Sequence, residues 1–390
     1  MKANIERTDK KRVVIVGGGL GGLNLAFKLI DDEFQVVLVD KNNYHQFPPL
    51  IYQVASGGLE PSSISFPFRR LFQGHKDFFF RMADVQAVNT EEKFIDTTVG
   101  KIEYDYLVIA AGATTNFFGN KDIEATTLPM KSVGEAMRLR NTILRNLELA
   151  ETEDVPERKQ ALMNIVVVGG GASGVEIAGA VAEMKKNIIA RDYPDLDSSQ
   201  MHIYLVNAGD RLLANMDPVS SKRAEKDLKD LHVHIRQPQF ATEYKDGILK
   251  TSAGLEIPTQ TVIWVSGICA NKLGGFPVES IGHSGRFLTD RFCRVKGVED
   301  VYAIGDISLV EGDEEYPLGH PQLAQVAMQQ AKTVAKNLKA LAKGKEPKPF
   351  RYKNLGVMAT IGRNHAVAEI SGKKFGGFPA WALWLIVHLR

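Results

Sequence analysis

An internal repeat constrains this chain more than any other feature. Val13 to Ala26 (VVIVGGGLGGLNLA) and Ile165 to Ala178 (IVVVGGGASGVEIA) share seven of fourteen residues and lie 152 positions apart. Each copy is a β-branched run, a glycine cluster and then apolar residues at helical spacing, which is the strand–turn–helix of a nucleotide-binding βαβ unit. A chain of 390 residues has room for two or three domains of roughly 150 residues. Two copies therefore predict two nucleotide-binding domains.

The rest of the chain agrees with that reading. Apolar strands are expected at Gln35 to Val39 and at His202 to Val206, one after each repeat. Tyr106 to Ala111 runs into Gly112, Val262 to Val265 leads to Gly267, and Val301 to Ile304 ends in Gly305-Asp306. Strands alternating with helices predict the α/β class with parallel sheets, here as two Rossmann-like domains. Residues 121–160 read as a polar helical connection, and a long helix is expected from Gln322 to about Leu341. Gly344 to Pro349 reads as a linker to a smaller C-terminal region.

Glycine spacing shows what such turns can hold. Gly17, Gly19 and Gly22 fit GxGxxG after a strand, as do Gly169, Gly171 and Gly174. The pattern needs glycine for a tight turn, for close backbone approach to a pyrophosphate and for helix–sheet packing. Asp40 closes the second strand of the first unit, where a carboxylate accepts from an adenosine ribose. Asn207 stands at the matching place in the second unit. An acid there would exclude a 2′-phosphate, whereas asparagine, with Arg211 close by, leaves NADPH open beside NADH.

Composition removes other chemistries. With 48 basic and 46 acidic residues there is no excess for a polyanion, so nucleic acid is not expected as a partner. Cys269 and Cys293, the two cysteines, have no CxxC spacing, so no thiolate metal site and no dithiol redox pair is expected. Redox chemistry would have to come from bound cofactors.

Two glycine units about 150 residues apart with a late Gly-Asp form the layout of two-dinucleotide-binding flavoproteins, the pyridine nucleotide-disulfide reductase-like fold. Further stretches resemble type II NADH:quinone oxidoreductases, the single-subunit respiratory NADH dehydrogenases. They are DKNNYHQFPPLIYQVA from Asp40, GATTNFFG from Gly112, GGGASGVEIAG from Gly169, AQVAMQ from Ala324 and MATIGRNHAVA from Met358. The resemblance implies a flavin that takes a hydride from a nicotinamide and passes two electrons to a quinone, without ion pumping. It implies an FAD-binding domain at 1–116 and 293–345, an NAD(P)H-binding domain at 117–292, and a membrane-association and quinone-site region at 346–390.

Site residues carry over position by position. FAD is expected at Gly17, Gly18, Gly19, Leu20, Gly21 and Gly22, at Asp40 and Lys41, at His45, Val85 and Ala111, and at Asp306, Ala324 and Gln325. NADH is expected at Gly169, Gly171, Ala172, Ser173 and Gly174, with Glu176, Asn207 and Gly267. Gln325 and Gln329, four apart on one helix face, are expected at the quinone. Glu176, Gln325 and Lys374 are the expected catalytic residues, with no metal.

The polar start, Met1 to Arg12, has no signal-peptide core, and no apolar stretch reaches the length of a spanning helix. Ala380 to Val387 (AWALWLIV) is uniformly apolar and holds Trp381 and Trp384. With Lys373, Lys374 and Arg390 it suits a membrane surface, so a peripheral enzyme on the cytoplasmic side of the cell membrane is expected. The family usually continues beyond this point, so a truncated C-terminus is expected. A homodimer is left open, as is the quinone used. Two other readings stand beside this one: a soluble flavin reductase for an iron–sulfur protein, and a redox-sensing flavoprotein of the apoptosis-inducing-factor type.

Overall fold

Both β-branched runs become central strands. In the computed structural model, which describes residues 3–388, Lys11–Val16 pairs in parallel with Phe34–Asp40 on one side and Tyr106–Ile109 on the other. Phe78–Met82 and Val301–Ala303 complete a five-stranded parallel sheet. Val13 and Ile15 face one core with Leu25, Leu29 and Val334, while Val14 and Val16 face another with Val37, Ile95 and Phe287. A strand buried on both faces is apolar wherever its side chains find no polar partner, which explains the unbroken run from Val13 to Val16. Each fully buried side chain of this size contributes about 1.5–3 kcal/mol.

The chain folds into two units, each with its own parallel sheet and core. The first comprises residues up to Phe47, Ser65–Thr114 and Ile268–Asn354. Helices Leu20–Leu29 and Ala324–Ala342 pack on each other over one face of its sheet. The second comprises Pro48–Ile64, Thr115–Gly267 and the chain from Leu355 onward. Its parallel sheet runs Leu128–Pro129, Thr261–Trp264, Ile165–Val168, Ile203–Val206, Val233–Arg236. Helix Ala172–Met184 follows its glycine turn.

This division differs from the boundaries read off the sequence, chiefly at three places. Residues 268–292 group with the first unit, where Phe287 enters the core. Residues 48–64 group with the second, because helix Ile51–Ala55 packs on helices Val133–Thr152 and Ala172–Met184. The chain from Leu355 also joins the second unit. There Val357–Thr360, Ala366–Ile370 and Lys373–Gly376 form an antiparallel sheet, and Val357–Thr360 lies against Ala172–Met184.

The residues expected to form one polar helical connection hold three helices, Lys121–Thr126, Val133–Thr152 and Pro156–Met163, with an edge strand at Leu128–Pro129. Ser132 and Glu135 form a capping box that starts the long one. The terminal apolar segment is a helix, Phe378–His388. Trp384 was expected at a membrane surface but is only 3% exposed, so it packs inward. Phe378, Ile386 and Val387 are the exposed apolar residues of that helix. Arg390 lies outside the described residues. Among the described residues no helix is long and apolar enough to cross a membrane.

Candidate functional site

The two glycine turns have the same steric design. Gly17 (φ +100°) and Gly169 (φ +125°) adopt a backbone open to glycine, and a Cβ there would lie 2.5 Å from Ala110 O and 2.6 Å from Val265 O. Gly22 and Gly174 sit where a Cβ would be 1.8 Å from Gly17 O and 1.7 Å from Gly169 O. Each third glycine therefore lets the helix close onto its own turn. By contrast nothing lies within 4 Å of a Cβ on Gly19 or Gly171. These exposed positions cap helices that have neither an N-cap side chain nor an acid in the first turn. Open space at an unsatisfied helix N-terminus suits a pyrophosphate.

The first cradle is braced by two polar groups, the half-buried Asp40 and the buried His45. Asp40 Oδ2 accepts from Gly18 N at 2.7 Å, and Oδ1 accepts from Asn42 N at 2.7 Å. Burial raises the Asp40 pKa, and the two N–H donors offset part of that rise. His45, buried on Tyr44–Gln46, meets Gly18 O through Nδ1 at 2.8 Å. Burial lowers its pKa, so the neutral ring with Nδ1 protonated donates to that carbonyl. Lys41 beside them is exposed, and Val85 opens the strand Val85–Asn89. Ala111 O accepts from Asn271 Nδ2 at 2.7 Å. Leu20 and Gly21 open the first helix, and Gly21 faces Ile304 and Ala327.

Asp306 lies in the turn Gly305–Ile307, gripped from two sides. Gln330 Oε1 accepts from Gly305 N at 2.6 Å, and Gln322 Nε2 donates to Asp306 O at 2.8 Å. The helix Ala324–Ala342 carries Ala324, Gln325 and Gln329 in its first turns. Gln329 is engaged at both amide atoms, donating to Lys353 O (2.9 Å) and accepting from Lys353 N (3.0 Å). The sequence reading missed Gln322 and Gln330. Gln330 is buried, and a buried glutamine next to a Gly-Asp turn is the signal that could have found it.

In the second unit Asn207 takes the place of Asp40, with Oδ1 accepting from Gly170 N at 3.2 Å. Ala172 and Ser173 are exposed beside Gly171, and Gly267 O accepts from Asn116 N at 3.0 Å. Val168, Val206 and Trp264 at the strand ends, with Phe117, Phe118 and Phe240, line a cavity of about 340 Å³.

Glu176 lies one turn into helix Ala172–Met184. Protein atoms crowd its carboxyl, and this desolvation raises its pKa to about 8, while Thr360 N–H (3.5 Å from Oε1) opposes the rise. Thr360 Oγ1 also donates to the buried Tyr52 hydroxyl at 2.8 Å, which accepts from Gln53 Nε2 at 3.0 Å. Desolvation and the nearby Glu176 raise the Tyr52 pKa, so this phenol stays neutral. Tyr52 and Thr360 lie in two of the stretches that resemble the family, but nothing in their local sequence assigns either a role. Lys374, on Lys373–Gly376, pairs with Asp217 at 2.6 Å. Asp217 caps helix Pro218–Asp230 and donates through its N–H to Glu369.

Two open cradles in one chain, each on its own parallel sheet, define a protein built for two dinucleotides. The model of the pyridine nucleotide-disulphide oxidoreductase family matches residues 11–331, and the chain belongs to that family. Cys269 and Cys293 are both free, so it has no disulphide of its own. The type II NADH:quinone oxidoreductase Ndh of Mycobacterium tuberculosis is 34% identical over 97% of this chain and 84% of its own length. NdhA of the same organism, also named a type II NADH:quinone oxidoreductase, is 32% identical over 97% of this chain and 83% of its own length. Within the larger family, the chain is therefore one of the type II NADH:quinone oxidoreductases. The solved structure of NDH2 from Plasmodium falciparum in complex with NADH shares the fold, with a TM-score of 0.88 at 20% identity, over 97% of this chain and 94% of that one.

Proposed function

We propose that this chain catalyses NADH + H⁺ + quinone → NAD⁺ + quinol through a bound FAD, without ion transport. The observation that carries the reading is the duplicated cradle in a chain that matches quinone oxidoreductases over nearly its whole length. When bound, the flavin supplies the two-electron chemistry, accepting a hydride and reducing the quinone. In this reading the first unit holds FAD and the second holds the nicotinamide nucleotide.

The chain's own residues position the cofactors and manage protons. Gly17 to Gly22 admit the pyrophosphate of FAD, Asp40 and His45 hold the Gly18 peptide in place, and Asp306 with the start of the Ala324 helix completes the flavin site. Gly169 to Gly174 do the same for NADH. Gln325 orients the quinone as a neutral donor, and Gln329 braces the helix that carries it. Glu176, with a pKa of about 8, is mostly protonated at neutral pH and can hold or release the proton that quinol formation requires. Thr360 and Tyr52 keep its carboxyl in place. Lys374 ties the C-terminal sheet to Asp217. The exposed Phe378, Ile386 and Val387 rest on the cytoplasmic membrane surface, from which the quinone enters.

The purified protein is expected to be yellow, to bleach with NADH and to recover with a quinone. Gln325→Ala should lower quinone reduction about tenfold or more and leave the bleaching step unchanged. A colourless protein that takes up no FAD overturns the proposal. A ferredoxin reduced faster than any quinone would favour the iron–sulfur reductase reading instead.

A further inference from the structure

The turn after the strand Ile203–Val206 is built around one side chain. Asn207 Nδ2 lies 3.0 Å from Gly209 O, 3.1 Å from Arg211 O and 3.3 Å from Gln237 Oε1. Its Oδ1 accepts from Gly170 N at 3.2 Å, and Gly170 O accepts from Leu213 N at 2.8 Å. Residues 207–213 therefore grip the Gly170 peptide at both ends. The orientation of the amide follows from its surroundings, since the flipped form would point Oδ1 at three oxygens. The fit is tight enough that a Cβ on Gly170 would lie 2.4 Å from Asn207 Cγ. Arg211, the basic residue nearest in sequence, is equally committed, donating to Met216 O (3.1 Å) and Ala214 O (2.6 Å).

We infer that Asn207 is a positioning residue that holds the nucleotide-binding turn through its amide N–H₂, and that its side chain does not choose between NADH and NADPH. The inference rests on the reading that the second cradle takes the nicotinamide nucleotide. Carboxylate and amide have nearly the same shape, yet they are not interchangeable here. The second oxygen of Asp40 meets a donor, Asn42 N–H. The corresponding atom of Asn207 meets carbonyls. An aspartate at 207 would lose these hydrogen bonds and set an anion against oxygens about 3 Å away. An acid at this place, which would ordinarily select NADH by repelling a 2′-phosphate, would instead break the turn that both nucleotides need.

The test uses the flavin-loaded protein with NADH, NADPH and 2′-deoxy-NADH, which lacks the adenosine 2′-hydroxyl, and follows bleaching in rapid mixing. Asn207→Asp is expected to raise the half-saturating concentrations of NADH and NADPH by a common factor of about ten, as loss of one to two hydrogen bonds implies. Their ratio should stay within about twofold of the parent, with the limiting bleaching rate and flavin content unchanged. Asn207→Ala, which adds no charge, covers the case in which the aspartate variant folds poorly. It should carry the same penalty for 2′-deoxy-NADH as the parent, because a residue that does not touch the hydroxyl cannot couple to its removal. A variant Asn207→Asp that keeps its NADH affinity and rejects NADPH overturns the inference. So does a deoxy penalty that vanishes in Asn207→Ala. A parent protein bleached by no nicotinamide nucleotide removes the underlying reading, and the inference with it.

Discussion

The two cradles share a backbone and differ in everything that braces it. Gly17, Gly19 and Gly22 meet the same steric conditions as Gly169, Gly171 and Gly174, down to the carbonyl that each outer pair would strike. The residue after the first glycine, Gly18 in one turn and Gly170 in the other, is also held at both its N–H and its carbonyl. In the first unit an aspartate accepts its N–H and the His45 ring donates to its carbonyl. In the second an asparagine accepts the N–H and the Leu213 backbone reaches the carbonyl. Sterics leave one solution for the turn, whereas any donor and acceptor of suitable reach can brace it. A third difference lies on the helix, where the repeat aligns Asn24 with Glu176.

The largest effect expected comes from adding a methyl at the closing glycine of either cradle, because the obstacle is backbone carbonyl and cannot yield. Gly22→Ala should purify without flavin, whereas Gly174→Ala should be yellow yet remain unbleached by NADH. Visible absorbance with and without NADH separates the two, and a colourless Gly174→Ala would mean that the cradles do not serve separate nucleotides.

A smaller effect is expected at His45. His45→Ala leaves Gly18 O without its donor at a cost of about 1–3 kcal/mol, roughly a tenfold loss of FAD affinity or more. Flavin released on dilution measures it. Molecules that keep their flavin should retain the parent's half-saturation for NADH, since the second cradle uses no such histidine. If that half-saturation shifts as well, the bracing is not confined to one unit.

The smallest effect concerns Glu176. Its folded pKa of about 8 lies above the ordinary 4.5, so between these pH values the folded protein binds more protons than the unfolded chain. Stability then falls as pH rises through that window and levels off above it. Glu176→Gln removes this pH dependence. Its melting temperature should match the parent's near pH 4.5 and exceed it progressively up to about pH 8. A constant difference across this range would show that the carboxyl is not desolvated.

Much of the fold was legible because its requirements are local. A β-branched run buried on both sheet faces, and a glycine wherever a Cβ would strike a carbonyl, leave their pattern in consecutive residues. The hydrogen bonds that meet around Thr360 beside Glu176 were not legible, because Thr360 meets Tyr52 across 308 positions. Gln329 and Gln330 show the same limit. The motif draws attention to Gln329, but the structure spends that amide on Lys353 and uses Gln330 to hold Gly305. Trp384 was misread because a uniformly apolar segment carries no sign of which face will be covered.

By itself the sequence determined that this chain has two glycine turns of one steric design and no dithiol, since both follow from residue types at short spacings. The tertiary structure decided what each cradle asks of its neighbour. Whether residue 207 must donate or accept, and whether residue 176 keeps its proton, depend on carbonyls and burying atoms supplied by distant segments. Hydrogen-bond polarity and desolvation are properties of those surroundings, and no local pattern records them.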